Sequence, residues 1–183
     1  MELSVLINDC KKAEIIAQKK LYDLFAVRLF LICRRYLKTD VEAEDMLQNG
    51  FLKIYTSLHT FRYTTDNAFI AWMKKIMVNE CLQELRKKNN FFLVAEETAH
   101  EIVEENGIIS QLSTEEIFRL ITSMPIGYRT VFNLYVIEGY SHQEIADILQ
   151  ITNGTSKSQL NKARKMLQDL IKNANQYVSV NAR

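Results

Sequence analysis

SHQEIADILQITNGTSKSQLNKARKMLQDLI, residues 141–171, decides the fold. Ser141 followed by Glu144 is a capping-box pair: the hydroxyl accepts the N3 amide while the carboxylate reaches back to the cap amide, so a helix starts here. Ile145, Ile148 and Leu149 recur at helical spacing and form its buried stripe. Gln150-Ile151-Thr152 makes the turn, with Ile151 plugging between the helices, and a second helix begins near Asn153 to Thr155 and packs through Leu160, Ala163 and Leu167. Its outward positions are Lys157, Ser158, Asn161, Lys162 and Lys165, with Arg164 alongside. Hydrogen-bonding side chains for base edges and cations for phosphates are what a recognition helix needs where it enters the major groove. The small Ala146 at the crossing and the short turn favour a DNA-binding helix-turn-helix over a hairpin that merely has a basic face. Gln150 stands where glycine is usual, and a left-handed backbone there costs roughly 1–2 kcal/mol.

Upstream of this pair, Ser113 to Ile121 reads as a short helix, Met124-Pro125 breaks it, and Gly127 to Ile137 reads as another that ends at Gly139. Further back the charge changes. Between Lys88 and Arg119 no basic residue occurs, while Glu96, Glu97, Glu101, Glu104, Glu105, Glu115 and Glu116 give the segment −7. Residues 1–89 carry 15 basic and 11 acidic side chains, and residues 118–183 carry 8 and 4, so two lobes of +4 each flank an acidic connector. Such a run is either a solvated linker or a mimic of nucleic acid that occupies a basic channel on a partner.

In the first lobe, apolar residues recur at helical spacing from Lys19 to Leu37, through Leu21, Leu24, Phe25, Leu29 and Ile32, and again from Val41 to Leu58. Thr39 with Glu42 repeats the capping box. TFRYTTDN, residues 60–67, reads as a loop in which Asp66 or Asn67 can cap a third helix from about Ala68 to Lys88. Ile70, Met73, Met77, Leu82 and Leu85 form the buried stripe of that helix, and Trp72, Lys75, Asn79 and Arg86 share another face. An aromatic ring, an amide and two cations in line suit single-stranded nucleic acid, because bases stack on rings while cations meet phosphates. A core tryptophan beside a solvated charged stripe would leave the same periodicity.

The composition agrees with an all-helical protein. Of 183 residues 48% are hydrophobic, enough for packed cores, and one proline with five glycines are too few for the many turns of a sandwich or barrel. Cys10, Cys33 and Cys81 are widely spaced without a C-x-x-C, which suggests neither a disulfide framework nor a zinc knuckle. No basic start with an apolar run opens the chain and no segment nears the roughly 18 apolar residues that span a bilayer, so a cytoplasmic protein without direct membrane insertion is expected. His59, His100 and His142 share no metal-ligand spacing, and no phosphate-binding glycine loop or nucleophile elbow occurs. No enzyme activity, catalytic residue, cofactor or metal is therefore expected, and His142 reads as a surface or capping residue.

Four stretches together carry a family resemblance: AEDMLQNGFLKIY at 43–55, FIAWMKKIMVNECLQELRKK at 69–88, MPIGYRTVFNLYVIEGYSHQEIADIL at 124–149 and GTSKSQLNKARKML at 154–167. In this order and spacing the chain resembles, over about residues 20–172, a sigma-70 family RNA polymerase sigma factor of the small extracytoplasmic-function (ECF, group IV) type, with regions 2 and 4 only. The resemblance implies two small helical domains joined by a flexible acidic linker: region 2 at 1–89, linker at 90–112, region 4 at 113–175 and a C-terminal tail at 176–183. It implies that Asp45, Gln48 and Phe51 lie in the helix that docks on the β′ clamp helices of core RNA polymerase. It also implies that Phe61 and Arg62 lie in the loop receiving a flipped base of the minus-10 element, that Asn79 reads the same element, and that Trp72 and Lys75 stand at the melting fork. Lys157, Ser158, Asn161 and Lys162 match positions that contact the minus-35 element, with Arg164 on phosphate. Promoter DNA, core polymerase through the clamp helices and the β flap, and an anti-sigma factor are the implied partners, and the linker would thread the polymerase's RNA exit region. Gly50 departs from easy expectation, since glycine inside a helix costs up to about 1 kcal/mol relative to alanine. The competing reading is a helix-turn-helix transcriptional regulator whose N-terminal helical lobe senses a ligand or dimerises.

Overall fold

The computed structural model describes residues 2–87 and 113–181. All regular structure among them is helical, and the chain divides after Lys87 into two compact units. The acidic run from residue 90 to 112 lies outside the described residues.

The first unit has four helices: α1 (Leu3–Lys11), α2 (Ile15–Tyr36), α3 (Asp40–Ser57) and α4 (Asp66–Lys87), with a short 3-10 turn, Leu58–Thr60, after α3. Thr39 and Glu42 form the expected capping box: the Glu42 amide donates to Thr39 Oγ1 at 3.2 Å, and the Thr39 amide donates to the Glu42 carboxylate at 3.1 Å. α4 starts differently from expectation. Thr65 caps it, accepting from the Ala68 amide at 3.2 Å, while Asp66 is instead bonded to the Tyr63 hydroxyl. α2, α3 and α4 pack on one another around Leu21, Leu29, Tyr36, Ile54, Phe69, Met73 and Met77, all fully buried. Ile70, expected in the stripe, is only half-buried.

Three features escape the sequence pattern. α1 is a nine-residue helix, too short to be stable alone, and it forms by burying Leu6, Ile7 and Cys10 against α2 and the 3-10 turn. Leu24, expected in the core stripe of α2, is 63% exposed and joins Val27 and Leu31 in a second, outward apolar stripe at spacings of three and four. Gly50 has a packing reason: a Cβ there would overlap Sδ and Cε of the buried Met77, so glycine leaves room for the end of that side chain where α4 packs on α3.

The second unit comprises α5 (Thr114–Ser123), α6 (Ile126–Phe132), α7 (His142–Leu149) and α8 (Asn153–Asn181). α5 begins with a third capping box, Ser113 with Glu116. α6 does not run on as an ordinary helix to Ile137. From Asn133 to Ile137 it widens to π geometry, with the Glu138 amide reaching back five residues to the Asn133 carbonyl at 2.9 Å, and a 3.6-residue period cannot announce that change. The run stops at Gly139, whose φ of +79° is one that glycine adopts freely. α8 packs against α5, α6 and α7 through Leu160, Ala163 and Ile171, whereas Leu167 is half-buried. The helix continues to Asn181, through most of the stretch read as a tail. Arg129 is 2% exposed and donates to the Thr122 carbonyl at 2.6 Å, placing a cation at the C-terminal end of α5, where the helix dipole favours it.

Candidate nucleic-acid and partner interfaces

In the first unit the loop and α4 meet in an aromatic cluster. Phe61, just after the 3-10 turn, has its ring 4.7 Å from Trp72 and 5.4 Å from Phe69, and Phe69 stacks on Trp72 at 5.7 Å. Phe69 is fully buried and meets Phe25 of α2 edge-on at 6.3 Å, which ties the cluster to the core. Phe61 and Trp72 are half-buried, while Arg62, Lys75, Asn79 and Arg86 are exposed. At 1.5 Å rise per residue, the Trp72–Arg86 face extends about 21 Å along α4. The open choice in the sequence is thereby narrowed: Trp72 is neither a fully buried core residue nor isolated on the surface. It is one element of a ring platform beside cations and an amide.

Two contacts shape the loop from its sides. Lys11 of α1 donates to the Phe61 carbonyl at 2.8 Å. The Tyr63 hydroxyl donates to the Asp66 carboxylate, and that bond, ahead of desolvation and the nearby charge, pushes the phenol's pKa above 10.0.

A second surface lies on α2 and α3. Asp45 and Gln48 are exposed on α3, and Gln48, Glu44 and Leu47 line a groove of about 410 Å³ whose other wall is Tyr22, Ala26, Val27 and Phe30. Phe51 departs from its expected role as a docking residue. It is 3% exposed, its ring 4.6 Å from Tyr22 and 5.8 Å from Tyr55, so it supports the surface from inside. Tyr55 donates to the Gln18 carbonyl at 2.8 Å, and burial, first among the causes, drives its phenol pKa well up. Lys53 reaches across to the largely buried Glu80 at 2.5 Å, linking α3 to α4 next to Asn79.

In the second unit the turn between α7 and α8 takes the strained form that the sequence raised. Gln150 has φ 55° and ψ 44°, and the Ile151 amide donates to the Ala146 carbonyl at 3.1 Å, closing a left-handed helix stop. Thr152 then caps α8, accepting from the Thr155 amide at 3.0 Å. Along α8, Lys157 and Lys165 are exposed, and Ser158, Asn161, Lys162 and Arg164 are half-buried. Ser158 donates to the Thr155 carbonyl at 3.0 Å, which leaves its oxygen lone pairs for an incoming donor.

His142 corrects the capping expectation, because Ser141 is the cap. The imidazole stacks on Tyr135 at 4.4 Å, its Nδ1 is 2.9 Å from the hydroxyl of buried Ser156, and Arg164 lies over Tyr135 at 5.9 Å. Partial burial, then Lys157 and Arg164, lower the His142 pKa below 6.5. This stack joins the π segment, α7 and α8. No sequence signal announces it, because its members come from three elements.

Among the described residues no group of three or more His, Cys, Asp or Glu side chains is placed to hold a metal ion, and no helix is long and apolar enough to cross a membrane. The three cysteines are free and buried.

Comparison with known proteins follows the same two units. Residues 21–91 match the family model "Sigma-70 region 2" and residues 114–167 match "Sigma-70, region 4", together more than half of the chain. The ECF RNA polymerase sigma factor SigW of Bacillus subtilis is 28% identical over 180 residues, covering 91% of this chain and 95% of that protein. The ECF RNA polymerase sigma-E factor of Haemophilus influenzae is 29% identical over 154 residues, 77% of this chain and 79% of its own length. A solved sigma factor, RpoE of Bartonella quintana in complex with the anti-sigma factor NepR, shares the fold, with a TM-score of 0.50 and 21% identity over 84% of this chain and 96% of that one.

Proposed function

Because this chain belongs to the sigma-70 family of RNA polymerase sigma factors, in its extracytoplasmic-function group, we propose that its two units divide promoter recognition between an opened strand and an intact duplex. The chain is a sigma factor directing transcription initiation, and the match of residues 21–91 to region 2 removes the ground for reading the first lobe as a regulator's sensor.

The first unit takes the minus-10 element as single strand. The observation that carries this reading is the 4.7 Å ring contact of Phe61 with Trp72, flanked by exposed Arg62, Lys75 and Asn79. Extruding a base costs a few kcal/mol, and stacking on such a platform contributes about 1–3 kcal/mol per base. Cations on the same face hold the backbone of the separated strand. The second unit grips the minus-35 element as duplex, with Lys157, Ser158, Asn161 and Lys162 in the major groove and Arg164 near phosphate.

Core polymerase binds the outward apolar stripe of α2 together with the groove edged by Gln48, with Asp45 beside it, and meets the β′ clamp helices there. An exposed apolar stripe rimmed by polar residues is the signature of a protein-binding surface. The β flap holds the second unit, and an anti-sigma factor competes for the α2 and α3 surface. The protein works in the cytoplasm without direct membrane insertion and contributes no catalysis, cofactor or metal of its own. The 90–112 stretch links region 2 to region 4 and follows the RNA exit path. Run-off transcription with core polymerase over a genomic fragment library tests the reading: discrete start sites that depend on this protein are expected, and uniform or absent initiation overturns it.

A further inference from the structure

α1 precedes residue 21, where the region 2 match begins, and none of the roles assigned above falls on it. Its last turn nevertheless reaches the reading loop. Lys11 Nζ is 2.8 Å from the Phe61 carbonyl oxygen, fifty residues away in sequence. Phe61 leaves the 3-10 turn in extended conformation, φ −73° and ψ 123°, and residues 61–65 then run without regular structure until Thr65 caps α4. Within the turn the Phe61 amide is fixed by the Leu58 carbonyl at 3.1 Å. The Phe61 carbonyl, by contrast, accepts from a cation on another helix, a contact at the solvent-exposed edge of the loop. Because the peptide is planar, fixing that carbonyl also fixes the amide of Arg62 and the direction in which the loop departs.

The helix that carries the lysine is itself held in place. Leu6, Ile7 and Cys10 bury one face of α1. Ala13 then ends the helix at φ 61°, with its amide on the Cys10 carbonyl at 3.0 Å and the Glu14 amide on the Asp9 carbonyl at 3.3 Å, the paired bonds of a Schellman stop. Lys12 pairs with Asp9 at 2.9 Å, so this nearby carboxylate is already engaged by the neighbouring lysine.

We propose that Lys11 is a positioning residue for base recognition: by holding the Phe61 carbonyl it sets the orientation in which the loop offers Phe61 and Arg62 to a base extruded from the minus-10 element. The proposal rests on the assignment of residues 60–67 as the base-capturing loop, and the test separates the two. Holoenzyme assembled from core polymerase and the full chain is titrated with fork probes of the promoter found by run-off transcription. Each of the four bases is placed in turn at every single-stranded minus-10 position. Lys11→Met lowers discrimination at the captured base about three- to tenfold, the loss of one hydrogen bond, with the thermal midpoint lowered by no more than that one bond accounts for, and Lys11→Arg restores both.

Phe61→Ala and Arg62→Ala run in parallel. If neither changes discrimination, the loop assignment fails and the role of Lys11 falls with it. If either lowers discrimination while Lys11→Met behaves as the parent, the positioning role alone is overturned. If Lys11→Met weakens all probes equally and the salt slope drops by about one, Lys11 contacts phosphate and the proposal is wrong. A lowered midpoint with no recovery in Lys11→Arg likewise overturns it, as a fold defect.

Discussion

In the first unit, the side chains proposed to hold DNA gather round rings: Phe61 on Trp72, Trp72 on Phe69, and Phe69 on the core. In the second, one helix is aimed by small polar devices: the Thr152 cap, the left-handed Gln150, and the His142–Ser156 contact. The difference follows from the two targets. An opened strand exposes base faces, which any flat ring can stack on, so the first unit needs area and a nearby cation. A closed duplex exposes base edges and phosphates at fixed spacing, so the second unit needs a helix held at one angle.

The comparison breaks most visibly at the partner surface, which only the first unit has been assigned for the clamp helices. Asp45→Arg reverses an exposed charge on α3 and should cost 2–4 kcal/mol or more, at least about thirtyfold in core polymerase affinity by competition titration. Circular dichroism and minus-35 duplex binding should stay as in the parent. Next, Trp72→Ala should weaken binding to a single-stranded minus-10 probe by about 1–3 kcal/mol, with duplex binding unmoved, and Asn79→Ala should delay permanganate reactivity of the melted region without touching the upstream contact. An equal loss on both probes would dissolve the division of labour.

On the other side, Lys157→Ala and Lys162→Ala should each lower the salt slope of duplex binding by about one if both contact phosphates, measured between 50 and 200 mM salt. Smaller effects sharpen the contrast in how each unit is held. Ala13→Gly and Gln150→Gly each relieve a left-handed backbone and should stabilise their own unit by about 0.5–1 kcal/mol, read as a rise in the midpoint of that unit's denaturant transition.

The smallest expected effect is in pH. The folded His142 pKa lies below its unfolded value, so the unfolded chain binds the proton more readily, and this contribution to stability is present above about pH 6.5 and fades as pH falls through the folded pKa. His142→Gln should flatten that slope in the second unit's thermal midpoint and leave the first unit's unchanged.

Local signals in the sequence were legible where the cause is local. Thr39 with Glu42, Ser141 with Glu144, and the stop at Gly139 each depend on atoms within a few residues, and the structure has all three. The third capping box, Ser113 with Glu116, carried the same S-x-x-E spelling and could have been read as readily. Periodicity identified helices but not which apolar stripe turns inward, so Leu24 of α2 lies outside, and the resemblance that put Phe51 on the docking helix did not tell that its ring lies inside, against Tyr22 and Tyr55. α1 escaped because its stability is tertiary, and Gly50 looked like a weakness until Met77 occupied the space a side chain would take. Of the candidate sites, the α4 face was readable, whereas the joining of Phe61 to Trp72 and of His142 to Tyr135 crosses a break between two helices, and the path of the chain through such a break is not written in the periodicity of either one.

Trp72 is the chain's one tryptophan, and it sits against Phe61 at the corner where a base is proposed to arrive. Light absorbed by indole therefore reports on this corner and nowhere else. A nucleobase sliding onto the ring should quench its emission, giving an optical clock for strand capture that requires no dye and no engineered label.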